Sequence, residues 1–173
     1  MKLGVNLQPD DDSIERGAKG ESNFEKACQK NSYTALKSTK KQDMYDHIDY
    51  WVKNKKHKVM GFDVKGRKKT SRSSKGYSDD WVWIEFKNVQ GKEGWIKGKA
   101  DFIAFELENS FLIVKRAELR ELCKKLIKDT KTRVTSAKDA RYLLYSRKDR
   151  KDILTQIKLS DIKDGLKTWE WCK

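Results

Sequence analysis

Three runs between His47 and Lys87 alternate apolar and acidic residues, and they constrain the fold more than any other part of the chain. The first is His47-Ile48-Asp49-Tyr50-Trp51-Val52, the second Val59-Met60-Gly61-Phe62-Asp63-Val64-Lys65, and the third Trp81-Val82-Trp83-Ile84-Glu85-Phe86-Lys87. Side chains of a strand point alternately to its two faces. Ile48, Tyr50 and Val52 therefore share a face, as do Met60, Phe62 and Val64, and Val82, Ile84 and Phe86. Asp49, Asp63 with Lys65, and Glu85 with Lys87 fall on the other side. Alternation alone describes the solvated face of an antiparallel sheet. An acid in each of three successive strands, with Trp51, Trp81 and Trp83 on the same polar face, points instead to a site. If the strands are neighbours, the carboxylates and a lysine converge, which is how a divalent metal is held against a phosphate.

Charge narrows the partner. The 173 residues carry 40 Lys and Arg against 26 Asp and Glu, a formal +14. That sign and size favour a polyanion, nucleic acid before an anionic membrane surface. No apolar run approaches the ~18 residues of a spanning helix, and the opening residues do not read as a secretory signal. Only 36% of residues are apolar, but six each of Trp, Tyr and Phe are enough to expect a folded core. Cys28, Cys123 and Cys172 form no Cys-x-x-Cys pair, so neither a disulfide framework nor a zinc ribbon is indicated, and a reduced, cytoplasmic protein is expected. Two histidines, His47 and His57, are too few for a His-based metal site.

The remaining pattern predicts one mixed α/β domain over residues 17–173, a central sheet flanked by helices, after an irregular lead-in over 1–16 with its acidic run Asp10-Asp11-Asp12. A short helix is expected from about Ser22 to Lys30, with Phe24, Ala27 and Cys28 on one face and Glu21 and Glu25 paired on another. Tyr33 to Ser38 reads as a strand, 100–107 and 110–115 as a hairpin around Glu108-Asn109, and 116–128 as an amphipathic helix. Two more strands, 141–146 and 152–159, are joined by the basic turn Arg147–Lys151, and Trp169-Glu170-Trp171 reads as a core closure. Asp101 opens the hairpin, as a turn or cap residue or a further acid near the site. The loop from Gly66 to Asp80 follows directly on Lys65. Its Arg67, Lys68, Lys69, Arg72 and Lys75 are expected to contact a DNA backbone, and its serines and glycines suggest mobility.

Asp49, then thirteen residues, then Asp63-Val64-Lys65 resembles the PD-(D/E)xK nuclease superfamily, with Ile48 where a proline often stands. The order of helix, strand, Asp and triplet is most similar to the archaeal and phage Holliday junction resolvases, over about residues 17–115. Glu85-Phe86-Lys87 is also a well-formed triplet, which leaves a second register open. The resemblance implies a restriction-endonuclease-like core and hydrolysis of phosphodiester bonds, most readily in branched DNA, with a restriction-like or repair nuclease as the alternative. A non-catalytic basic nucleic-acid-binding protein and an RNA-directed nuclease are further readings. It implies Mg²⁺ or Mn²⁺ at Asp49, Asp63 and the Val64 carbonyl, an all-oxygen set that suits a hard cation. Lys65 would orient the attacking water, Glu85 would complete the shell, and Glu25 would approach from the helix. Paired cuts imply a homodimer, and the resemblance suggests a phage or mobile-element origin, acting in the host cytoplasm.

Overall fold

The computed structural model describes residues 11–173, with side chains from Gly17 onward. The acidic run at Asp10–Asp12 lies outside the described side chains.

A six-stranded sheet forms the middle layer. Its strands, in chain order, are β1 (Thr34–Lys37), β2 (Tyr50–Lys53), β3 (Val59–Lys65), β5 (Phe102–Glu106), β6 (Ser110–Lys115) and β10 (Thr168–Cys172). They lie side by side in the order β1-β2-β3-β5-β6-β10, antiparallel except for the parallel pair β3–β5. A second sheet contains β4 (Trp81–Lys87), β7 (Asp129–Val134), β8 (Leu143–Tyr145) and β9 (Ile153–Lys158), in the order β4-β9-β8-β7. Four helices complete the architecture: α1 (Asp11–Lys30), α2 (Lys40–Asp46), α3 (Arg116–Leu126) and α4 (Leu159–Gly165).

Alternation along the strands gives the central sheet two apolar faces. On one side α1 lowers Phe24, Ala27 and Cys28 onto Tyr50, Val52, Phe62, Phe111 and Trp171. On the other, Ile103, Phe105, Leu112 and Val114 meet Ile84 and Ile157 of the second sheet and Leu119, Cys123 and Ile162 of the helices. Helix α1 begins at Asp11, so residues 11–16 of the stretch expected to be an irregular lead-in are helical, and the rest of that stretch lies outside the described residues. The hairpin, α3 and β8–β9 lie where the sequence places them. Trp171 closes the core as expected, on a strand at the sheet edge.

One expectation fails at the level of the sheet. The strand carrying Glu85 is not a neighbour of β3: it pairs with β9 in the second sheet, while β3 pairs with β2 and β5. The reason is β4's apolar face. Val82, Ile84 and Phe86 pack across the interlayer core, which an edge-to-edge place beside β3 would not allow.

Candidate active site

The polar face of β3 looks into the interlayer side, away from the aromatic cluster. Asp63 is mid-strand and 1% exposed. Its Oδ1 receives the Lys65 ammonium at 2.5 Å. Its Oδ2 is buried and accepts from no amide, amine or hydroxyl, and the neighbouring carboxyl of Asp49 is close enough to share a hydrogen bond with Asp63. Asp49 reaches the same place from the residue before β2. Its backbone N–H donates to the Phe62 carbonyl at 2.8 Å, and its Oδ2 accepts the Val64 N–H at 2.7 Å. The β2–β3 register stops at Tyr50↔Phe62, so Asp49 takes over the edge where β2 ends. N–H and C=O of one strand residue project to the same edge, so the Val64 carbonyl also points toward Asp49.

Electrostatics follow from this crowding. Burial, and then the Asp63 charge, push the Asp49 carboxyl up to about 6. Burial also raises Asp63, against the pull of Lys65. Burial works to lower the Lys65 ammonium, but Asp63 and Asp49 outweigh it and hold Lys65 above the ordinary lysine range. Lys65 is further fixed by the Trp95 ring, whose centroid lies 5.0 Å from the ammonium. Gly94 makes that placement possible. A Cβ there would run into the Glu85 carbonyl, so only glycine lets the chain fold back on β4 and turn Trp95 under Lys65.

A further acid was not singled out from the sequence. Asp43 of α2 shares a hydrogen bond with Asp49 and is raised by burial and then by the Asp49 charge. The signal for α2 was present as Thr39-x-x-Gln42, a capping box in which Thr39 Oγ1 accepts the Gln42 N–H at 3.3 Å and Gln42 Oε1 accepts the Thr39 N–H at 3.1 Å. His47, expected on a strand face, instead ends α2 in the left-handed region at φ 53°.

The helix carboxylates exchange places. Glu25 accepts the Tyr50 hydroxyl at 2.7 Å, and Tyr50 belongs to the aromatic face, so Glu25 stands on the opposite side of the sheet from Asp63. Glu21, ion-paired with Lys37, is the α1 acid whose charge raises Asp49. Glu85 is brought near from the second sheet. It is among the carboxylates that raise Lys65, although it shares no ladder with β3. Asp101 is structural: its Oδ2 accepts the Gly61 N–H at 2.7 Å.

The basic loop is held at three points. The Lys69 carbonyl accepts the Trp83 indole N–H at 3.0 Å, and the Thr70 carbonyl accepts from Gln156 Nε2 at 2.7 Å. Arg67 is clamped by Asp79 at 2.8 Å. Lys68, Lys69, Arg72 and Lys75 are exposed. The Lys68 ammonium is nevertheless held below its ordinary range, first by desolvation and then by Lys65.

Among the described residues, no group of three or more His, Cys, Asp and Glu side chains is arranged to hold a metal ion. The donors present at β3 are two Asp carboxyls and one backbone carbonyl. Two carboxyls and a carbonyl are an all-oxygen donor set of the kind that suits Mg²⁺ or Mn²⁺, and Asp63 Oδ2 carries no bond from an amide, amine or hydroxyl. No helix is long and apolar enough to cross a membrane among the described residues. No family model, curated protein or solved structure matches the chain.

Proposed function

We propose that the chain is a Mg²⁺- or Mn²⁺-dependent endodeoxyribonuclease with a restriction-endonuclease-like core, acting on branched DNA as its resemblance to the PD-(D/E)xK resolvases implies. One observation supports the reading: a buried carboxylate oxygen, Asp63 Oδ2, is met by no amide, amine or hydroxyl and lies in a cluster with the Asp49 carboxyl and Lys65. A buried group left unsatisfied costs about 1–3 kcal/mol, and more when charged. A chain that keeps it has a use for it. Asp49, Asp63 and the Val64 carbonyl would hold the cation, which when bound supplies Lewis acidity and an activated water.

The side chains then divide the work. Lys65 stays protonated and places its charge where the phosphate oxygens become more negative. Trp95 and Asp63 hold that ammonium in one position before substrate arrives. Asp49 loses its proton near pH 6, so at neutral pH it serves as a carboxylate ligand. Asp43 stands next to Asp49 as a further acid at the mouth of the site. Two symmetric cuts call for two sites, hence a two-fold dimer.

The test uses labelled branched, duplex and single-stranded DNA, with Mg²⁺ and with chelator. Metal-dependent cleavage is expected, fastest on branched DNA, abolished in Lys65→Ala and largely kept in Lys87→Ala. The reverse pattern for the two lysines would hand the chemistry to Glu85-Phe86-Lys87. Binding without cleavage of any substrate would reduce the chain to a nucleic-acid-binding protein.

A further inference from the structure

Behind the loop that leaves β3 lies a cleft of about 250 Å³, lined by Lys19, Arg67, Tyr77, Glu106, Glu108 and Lys173, among others. It shares Arg67 and Glu106 with a smaller pocket that reaches Lys65. Arg67 and Glu106 thus stand between the cleft and the Lys65 end of β3.

The cleft is built in advance. Asp79 holds it from two sides: Oδ1 clamps Arg67 Nε at 2.8 Å, and Oδ2 accepts the Glu108 N–H at 2.8 Å, pinning the loop to the β5–β6 turn. Arg67 in turn lies over the Tyr77 ring, 5.5 Å from its centroid. Tyr77 is 45% exposed, so guanidinium backs the ring while much of the side chain remains open. Glu106 is already satisfied by Asn23 at 2.8 Å and Lys173 at 2.8 Å. What is left without an ion partner among the described residues is one cation, Lys19, and one carboxylate, Glu108, both exposed.

An open aromatic ring, an ammonium and a carboxylate around a cavity this small match the parts of one nucleotide. The ring takes the face of the base. The ammonium takes its phosphate, and a carboxylate accepts an N–H of the base edge, such as the imide N–H of thymine. We infer that this cleft seats an unpaired nucleotide of the DNA strand that runs from the candidate active site, with Tyr77 stacking on its base. A fully paired duplex keeps its bases stacked on one another and has none to offer. The cleft therefore gives the proposed nuclease, on whose DNA-binding reading it rests, a preference for substrates with unpaired strand beside the cut.

The test is affinity by fluorescence anisotropy in chelator, so that nothing is cut. Three probes are used: a plain duplex, the same duplex with a short single-stranded thymidine tail, and one whose tail is abasic. The proteins are wild type, Tyr77→Ala and Tyr77→Phe. Wild type is expected to bind the thymidine-tailed probe more tightly than the other two. Tyr77→Ala should weaken that probe alone by roughly 5- to 150-fold, the worth of one base stacked on an aromatic side chain. Tyr77→Phe should bind like wild type, which also shows that the loop stays folded without the hydroxyl. An equal loss on all three probes, or no loss on the tailed one, would overturn the stacking site while leaving DNA binding in place. A wild-type protein that binds none of the probes would instead overturn the nuclease reading, and the cleft with it.

Discussion

The two faces of β3 use the same strand for opposite ends. On one face Phe62 stacks on Phe102 at 5.1 Å and meets Phe24 and Trp171 at 5.5 Å each. Burial there is apolar, dense and stabilising. On the other face Asp63 is buried just as completely, with one oxygen on Lys65 and the other on no amide, amine or hydroxyl. One residue separates a side chain that holds the fold together from one that strains it. On the proposed reading, this is where stability is given up for chemistry.

The largest effect should come from breaking the apolar face. Phe62→Ala leaves a cavity in the aromatic cluster and should cost about 3–5 kcal/mol in urea unfolding, typical of Phe-to-Ala in a core. Asp63→Asn should cost less, because Lys65 keeps Asp49 beside it and part of its stem reaches solvent. Cleavage should be lost in Asp63→Asn all the same. A variant pair in which Asp63→Asn is the more damaging to stability would erase the contrast.

A pH effect of intermediate size follows from Asp49. Its carboxyl titrates near 3.9 in an unfolded chain and at about 6 in the fold. Between these values the folded state holds more protons on Asp49, so that group's contribution to stability is fully present below about pH 4 and is lost as pH rises toward 6. Asp49→Asn should remove that fall, on the order of 2 kcal/mol between pH 4 and 7. Denaturant midpoints for both proteins across the range read it directly, and parallel curves would count against the raised carboxyl.

The smallest effect separates the polar face from the loop that continues it. Lys69, Arg72 and Lys75 are exposed, and changing them to Ala leaves the Arg67–Asp79 clamp intact. The log affinity for duplex DNA against log salt should flatten by about 1 to 3 units. Cleavage at saturating enzyme should stay near wild type. An unchanged slope would make this loop a connector and move the DNA path to the basic turn at Arg147–Lys151.

Much of this was legible in the residues, and the exceptions share a cause. The alternation in β2 and β3, the hairpin around Glu108-Asn109 and the helical spacing of Leu119 and Cys123 are local signals, and each element forms where it reads, except that β2 starts at Tyr50 rather than His47. The partner of β4 was not legible. Trp81–Lys87 alternates as well as β3 does, but pairing with β9 is decided by the interlayer core, not by nearby sequence. Helix α2 buries no residue and leaves its Met44 and Tyr45 exposed, so periodicity is silent and only the capping box marks it. With α2 unread, Asp43 was unread too. Strand β7 fails for a similar reason, since Thr130 to Arg133 are all exposed and carry no alternation. Glu25 and Glu21 share a helix face by spacing alone, and only the packing of Tyr50 shows which of them looks toward Asp49.

The central claim is that the orphaned oxygen on the polar face of β3 awaits a cation, and calorimetric titration with Mn²⁺ tests it without any substrate. Wild type should bind Mn²⁺ with a measurable heat. Asp49→Asn and Asp63→Asn should each weaken or abolish that binding, and Glu25→Gln, on the far side of the sheet, should leave it unchanged. Equal Mn²⁺ binding in wild type and both aspartate variants would contradict the account.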